Sequence, residues 1–171
     1  MTQKPLAWID YARTHIGLKE IPGAKHNPTI TKWLLDLGAW WKDDETPWCG
    51  VFVAHVLKKH NRKIPKHWYR ALAFDQNVMT KLSKPAYGCV VTFGRKGGGH
   101  VGFVVGKDAQ GRLLVLGGNQ GNEVNIRAFD VSRVVGYYWP IQLEQTIGQP
   151  DESRYKLENI KGSFKLSNNE A

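Results

Sequence analysis

The spacing of hydrophobic positions changes halfway along the chain. From Pro5 to about Gly17, Leu6, Ile9, Ala12 and Ile16 recur at helical spacing with Trp8 on the flank, and Thr29 to Leu37 resumes that period before Gly38. Between them, LKEIPGAKHNP gathers Pro22, Gly23, Asn27 and Pro28, a loop signal. A third helix is expected in CGVFVAHVL, where Phe52, Val53, Val56 and Leu57 share the face below Cys49. HWYRALAFDQNVMTKL predicts another helix, or a helix plus loop. From Gly88 onward the runs are CVVTF, HVGFVV, RLLVLGG, EVNIRAF and VVGYYW, short, β-rich and divided by glycine or polar turns. They predict an antiparallel sheet. Helices first and strands second specify an α+β fold, with the N-terminal helices packed on one face of that sheet.

A chain of 171 residues, 42% hydrophobic, holds one well-buried domain. Residues 1–143 form that domain, and 144–171 are a polar tail or small appendage, in which Tyr155, Leu157, Ile160, Phe164 and Leu166 could pack as an extra hairpin. Two cysteines forty positions apart make neither a disulfide framework nor a zinc cluster. An aspartate interrupts LAWIDYA, so no signal-peptide core or membrane span is expected; the protein would be made in the cytoplasm and reach any outer site by release or delivery. The formal charge of +9 calls for an anionic partner. Its densest group, Lys58, Lys59, Arg62, Lys63 and Lys66, has no recognition-helix or zinc-finger pattern, so it reads as a solvated basic face rather than a specific nucleic-acid site.

The candidate chemistry starts at PWCGVFVAHVL. Cys49 stands where a polar segment becomes an apolar helix, and unpaired N–H groups at a helix mouth favour thiolate and can hold an oxyanion. The alternative is a small core residue, a common fate for cysteine. A nucleophilic thiol needs a base and a group that orients the base. His55 lies six residues on, about 240° round the helix, and points away; His15, His26, His60 and His67 read as surface residues. His100 opens a strand directly after GRKGGG. If Gly106 and Leu113 close the following hairpin, the ladder sets His100 opposite Asn119, whose amide could hold one ring nitrogen and leave the other for the thiol. A slip of one residue would bring Gly118 or Gln120 there instead. Cys89 falls on the order of 15 Å from His100 and reads as structural.

These residues resemble a family. DDETPW before a helix-borne cysteine, then PAYGCVVTF, GGGHVGFVVG and LLVLGGNQGNEVNI, are similar to the papain-like peptidoglycan hydrolases of the NlpC and CHAP groups. GLKEIPGAKHNPTITKW resembles a branch common among phage lysins and bacterial cell-wall hydrolases, and the likeness spans about Pro5 to Pro140. It implies Cys49 as nucleophile, His100 as base and Asn119 as third member. Two positions depart from the pattern: many CHAP domains carry a glutamate where this chain has Gly117, and relatives often have Gly-Asp where it has Gly88-Cys89.

The expected protein is a monomeric cysteine hydrolase cutting an amide of bacterial peptidoglycan, drawn to anionic envelope polymers, with Trp48, Glu45 and Gln120 at the substrate groove. No metal or organic cofactor is called for. A phage endolysin is the first expectation; a secreted antibacterial effector, a protease or acyltransferase, and a non-catalytic wall- or nucleic-acid-binding module with a vestigial Cys/His pair are the alternatives.

Overall fold

The computed structural model describes residues 3–95 and 97–168. Three helices, α1 (Ala7–Arg13), α2 (Pro28–Leu37) and α3 (Cys49–Lys59), pack on a six-stranded antiparallel sheet. Its strands are β1 (Thr80–Leu82), β2 (Val90–Arg95), β3 (Gly98–Lys107), β4 (Leu113–Gly117), β5 (Asn125–Phe129) and β6 (Val134–Trp139), ordered β1-β6-β2-β3-β4-β5. The expected α+β architecture is therefore the one observed.

Local chemistry explains the helix ends. The Asn27 side chain accepts from Thr29 N at 2.9 Å, Pro28 occupies the first turn, and Gly38 closes α2 at φ 81°, where a side chain would be strained. Helix α1 stops at Arg13 instead of reaching Gly17, because Thr14, His15 and Ile16 donate three residues back and Gly17 turns away at φ 98° to donate to Val124 O. Helix α3 is buried nearly all round, with eight of its eleven residues inside, because α1 and α2 cover one side and β3 the other. Its last turn, with Lys58 and Lys59, faces water, and there the positive charges suit the helix's negative end.

The helix expected after His67 is replaced by a single 3₁₀ turn, Ala71–Ala73, followed by β1. Asp75 Oδ1 accepts from Asn77 N at 2.8 Å, a local turn that competes with helical hydrogen bonding. The segment still matters to the centre of the fold. A Cβ on Gly50 would lie 2.4 Å from the Trp68 carbonyl oxygen, so glycine in the first turn of α3 lets this backbone cross directly over it.

Among the described residues, the tail beyond residue 143 forms no hairpin. It crosses the sheet with parallel bridges Lys107↔Asn159 and Ala128↔Leu166, and Tyr155, Leu157, Ile160 and Phe164 pack against the core. Residues 169–171 of the expected tail lie outside the described residues.

Asp44 ties the α1–α2 loop to the segment before α3. Its buried carboxylate accepts from Ile21 N and Asn27 N, both at 2.7 Å, and pairs with His26 Nδ1 at 3.2 Å. Burial pushes this carboxyl up, but the two backbone N–H groups and the His26 ring outweigh it and hold it below the usual range. Its stabilisation is thus present above the unfolded value of about 3.9 and is lost as pH falls through the lower folded value. Asp44→Ala is expected to cost about 2–4 kcal/mol in urea unfolding at pH 7, because it strands buried donors. That difference should shrink as the pH falls below about 4.

Candidate active site

Trp48 is the N-cap of α3 and offers no side-chain cap; the first intrahelical bond is Phe52 N to Trp48 O. The N–H groups of Cys49, Gly50 and Val51 therefore have no carbonyl within the helix. Those of Cys49 and Gly50 favour negative charge on the Cys49 sulfur, as does the Val101 N–H. This last contact joins the helix to the sheet. Val104 N donates to Cys89 O on the β2 side, so by alternation Val101 N points towards β4, whose ladder with β3 ends at Phe103↔Leu116. The sulfur takes the place of the missing strand partner, beside the residue that follows His100.

His100 is fully buried, stacked on Phe129 with ring centroids 5.4 Å apart and on Phe93 at 6.3 Å. Its Nε2 meets Gln120 Oε1 at 2.9 Å. The Gln120 amide nitrogen faces Val115 O, Asn125 O and Asn125 Oδ1 at 2.9–3.2 Å, all acceptors, so its orientation is fixed. Oε1 must accept, and Nε2 must carry the proton. Nδ1 is then the basic nitrogen of the neutral ring.

The structure brings Gln120, not Asn119, to His100, which corrects the expected pairing. The register is close to the one expected: Lys107↔Leu113 opens the ladder, and a bulge at Val105 shifts it before Val104↔Val115. But β4 ends at Gly117, and Asn119 turns the chain at φ 57°, a left-handed conformation that asparagine tolerates. Gln120 N then donates to Glu123 O and the Gln120 side chain folds back over Gly117. A Cβ on Gly117 would lie 2.3 Å from Gln120 Oε1 and 3.4 Å from His100 Nε2. The absent glutamate is thereby explained, since its space is filled by an amide arriving from the next turn.

Two residues expected at the groove stand elsewhere. Trp48 is 1% exposed, packed against Gly118 with its Nε1 donating to Glu20 Oε1 at 3.2 Å, so it is buried behind Cys49 instead of lining an open groove. Glu45 Oε1 accepts from Gly23 N at 2.9 Å and ties the loop. Sequence reasoning missed Asn125, which exchanges hydrogen bonds with Gln120, and Arg95, whose positive charge favours the Cys49 thiolate. The ladder pairs Phe93↔His100 and Arg95↔Gly98, so Arg95 was within reach of the hairpin argument.

Cys49 is only 7% exposed, and burial pushes its thiol up despite the N–H groups and Arg95. Burial thus works against the thiolate that the helix position favours. Cys89, fully buried, is pushed up to about 12 with little to offset burial. His55 is held by Tyr11 at 2.6 Å and stacked on Trp33, and burial first, then the charge of His15, lower it to about 4. Among the described residues no group of three or more His, Cys, Asp or Glu could hold a metal ion.

Helix α3 and strand β3 thus bring Cys49 against Val101, the residue that follows His100, at the end of an antiparallel sheet. Residues 41–119, a little under half of the chain, match the family model of the CHAP domain, a papain-like amidase and peptidase family whose members are cysteine hydrolases of peptidoglycan. No curated protein and no solved structure matches the chain.

Gln120→Ala is expected to lower kcat/KM about a hundredfold with the fold retained, whereas Asn119→Gly, which keeps the turn, loses little. Gln120→Glu retains the acceptor and should move the acid limb of the pH–rate profile upward, because a carboxylate favours the imidazolium. Steady-state kinetics across pH 5–9 would read all three.

Proposed function

We propose that the protein hydrolyses an amide bond of bacterial peptidoglycan through Cys49 and His100, with Gln120 positioning the ring. The observation that carries this reading is the placement of the Cys49 sulfur on the Val101 N–H, next to a histidine whose tautomer Gln120 fixes. His100 Nδ1 takes the thiol proton as sulfur attacks the carbonyl, and N–H groups of the first turn of α3 hold the resulting oxyanion. His100 returns the proton to the leaving amine, giving a thioester. It then takes a proton from water, which attacks the thioester, and the proton passes back to sulfur as the carboxylate departs.

The net charge of +9 favours approach to an anionic wall with its free carboxylates and acidic polymers. Among the described residues, no helix is long and apolar enough to cross a membrane. The resemblance of GLKEIPGAKHNPTITKW to wall-lysin sequences supports a phage-type lysin, made in the cytoplasm and acting at the wall after release. A delivered antibacterial effector would use the same chemistry.

On purified sacculi, Cys49→Ala and Cys49→Ser should abolish the fall in turbidity seen with wild type. Equal clearing by all three would rule out the thiol mechanism. His100→Ala should be inactive while His55→Gln, once shown to be folded by circular dichroism, still clears the suspension. Equal loss from both would remove His100 from the role of base.

A further inference from the structure

An aromatic groove is built in part from the segment that leads into Cys49. It encloses about 460 Å³ between Trp40, Trp41, Asp43, Thr46, Pro47 and Tyr69. Pro47 is two residues before the nucleophile, so the groove wall is within about 7 Å of chain of Cys49. The opposite wall belongs to the segment whose Trp68 carbonyl crosses Gly50, and whose Leu72 packs against Gly99 beside His100. One wall thus runs on in sequence to Cys49, and the other comes from the segment that passes over Gly50 and Gly99, the chain neighbours of Cys49 and His100.

The rings that line the groove stand edge-on to Trp41. Trp41 stacks on Trp68 at 5.7 Å, Tyr69 stands edge-on to Trp41 at 85°, and Trp40 stands edge-on to Trp41 at 76°. Trp40 is nonetheless 88% exposed, although indole is among the side chains with most to gain from burial. The rim is polar, with the Asp43 carboxylate and the Thr46 hydroxyl, which is itself fixed by a 2.8 Å bond to Asp43 Oδ1. Flat apolar faces bordered by fixed polar groups suit a ring with C–H bonds on its faces and hydroxyls on its edge. That is the chemistry of a pyranose; an extended peptide would instead seek a sheet edge or a continuous apolar trough.

We infer that this groove binds a sugar ring of the glycan strand, which sets the scissile bond at the amide joining the sugar's acyl group to the first residue of the stem peptide. The inference rests on the peptidoglycan reading above and adds the bond to it. The sugar-borne acyl carbon would bond to Cys49 sulfur as its C–N bond breaks. The peptide would leave as a free amine carrying the proton from His100, and water would release the sugar acid.

The test compares sacculi with the cross-linked stem peptide freed of sugar, using wild type and Trp40→Ala, an exposed position whose replacement leaves the core untouched. Mass spectrometry should find new amine termini only on the first stem residue, no cutting of sugar-free peptide, and about a tenfold lower kcat/KM for Trp40→Ala on sacculi. New termini within the stem or cross-bridge, equal cutting of sugar-free peptide, or full activity of Trp40→Ala would overturn the sugar subsite and leave the hydrolase reading standing. So would a dimer in sedimentation that Trp40→Ala dissolves, since a second copy would then occupy the groove. No new termini from wild type on either substrate would overturn both.

Discussion

The hydrogen bond from His100 Nε2 to Gln120 Oε1, drawn across the bare Cα of Gly117, is the contact around which the site is arranged. It fixes the tautomer of a buried ring, and it requires β4 to end where it does. Once β4 leaves, the Val101 N–H has no strand partner and meets the sulfur of Cys49. A second glycine makes the other side of the junction: a Cβ on Gly118 would come within 2.9 Å of both Trp48 and Phe52. The pair Gly117-Gly118 thus lets the imidazole network approach from one side and the helix mouth from the other.

The electrostatics divide the work between resting state and reaction. Burial disfavours negative charge on Cys49, while the N–H groups around it and the Arg95 guanidinium favour it. Preorganised donors of this kind need little rearrangement when charge develops, which is where they contribute most to rate. Cys89, more deeply buried and with no guanidinium among the groups acting on it, shows what burial does when nothing opposes it strongly.

Much of this was legible in the sequence. Cys49 at a change from polar to apolar spacing, His100 at a strand start and the hairpin register between them followed from periodicity and ladder geometry. What escaped was set by side chains folding back over turns. Asn119 was chosen because it stands opposite His100 on an ideal ladder, but its left-handed φ ends the ladder, and Gln120 returns over a glycine whose role is visible only in three dimensions. The helix expected after His67 failed for a related reason, an Asp75 turn that outcompetes helical bonding. Trp48 and Glu45 are sequence neighbours of Cys49 whose side chains point into the core and the adjacent loop.

The central claim is that Cys49, though buried, is made nucleophilic by its neighbours, while Cys89 is not. Timed iodoacetamide labelling of the native protein at pH 7.5, read by peptide mass spectrometry alongside residual activity, tests it most directly. The account predicts that Cys49 is alkylated first, that activity falls in step, that Cys89 stays unmodified until the chain is unfolded, and that His100→Ala slows Cys49 labelling. Equal reactivity of the two cysteines, or full activity after complete alkylation of Cys49, would contradict it.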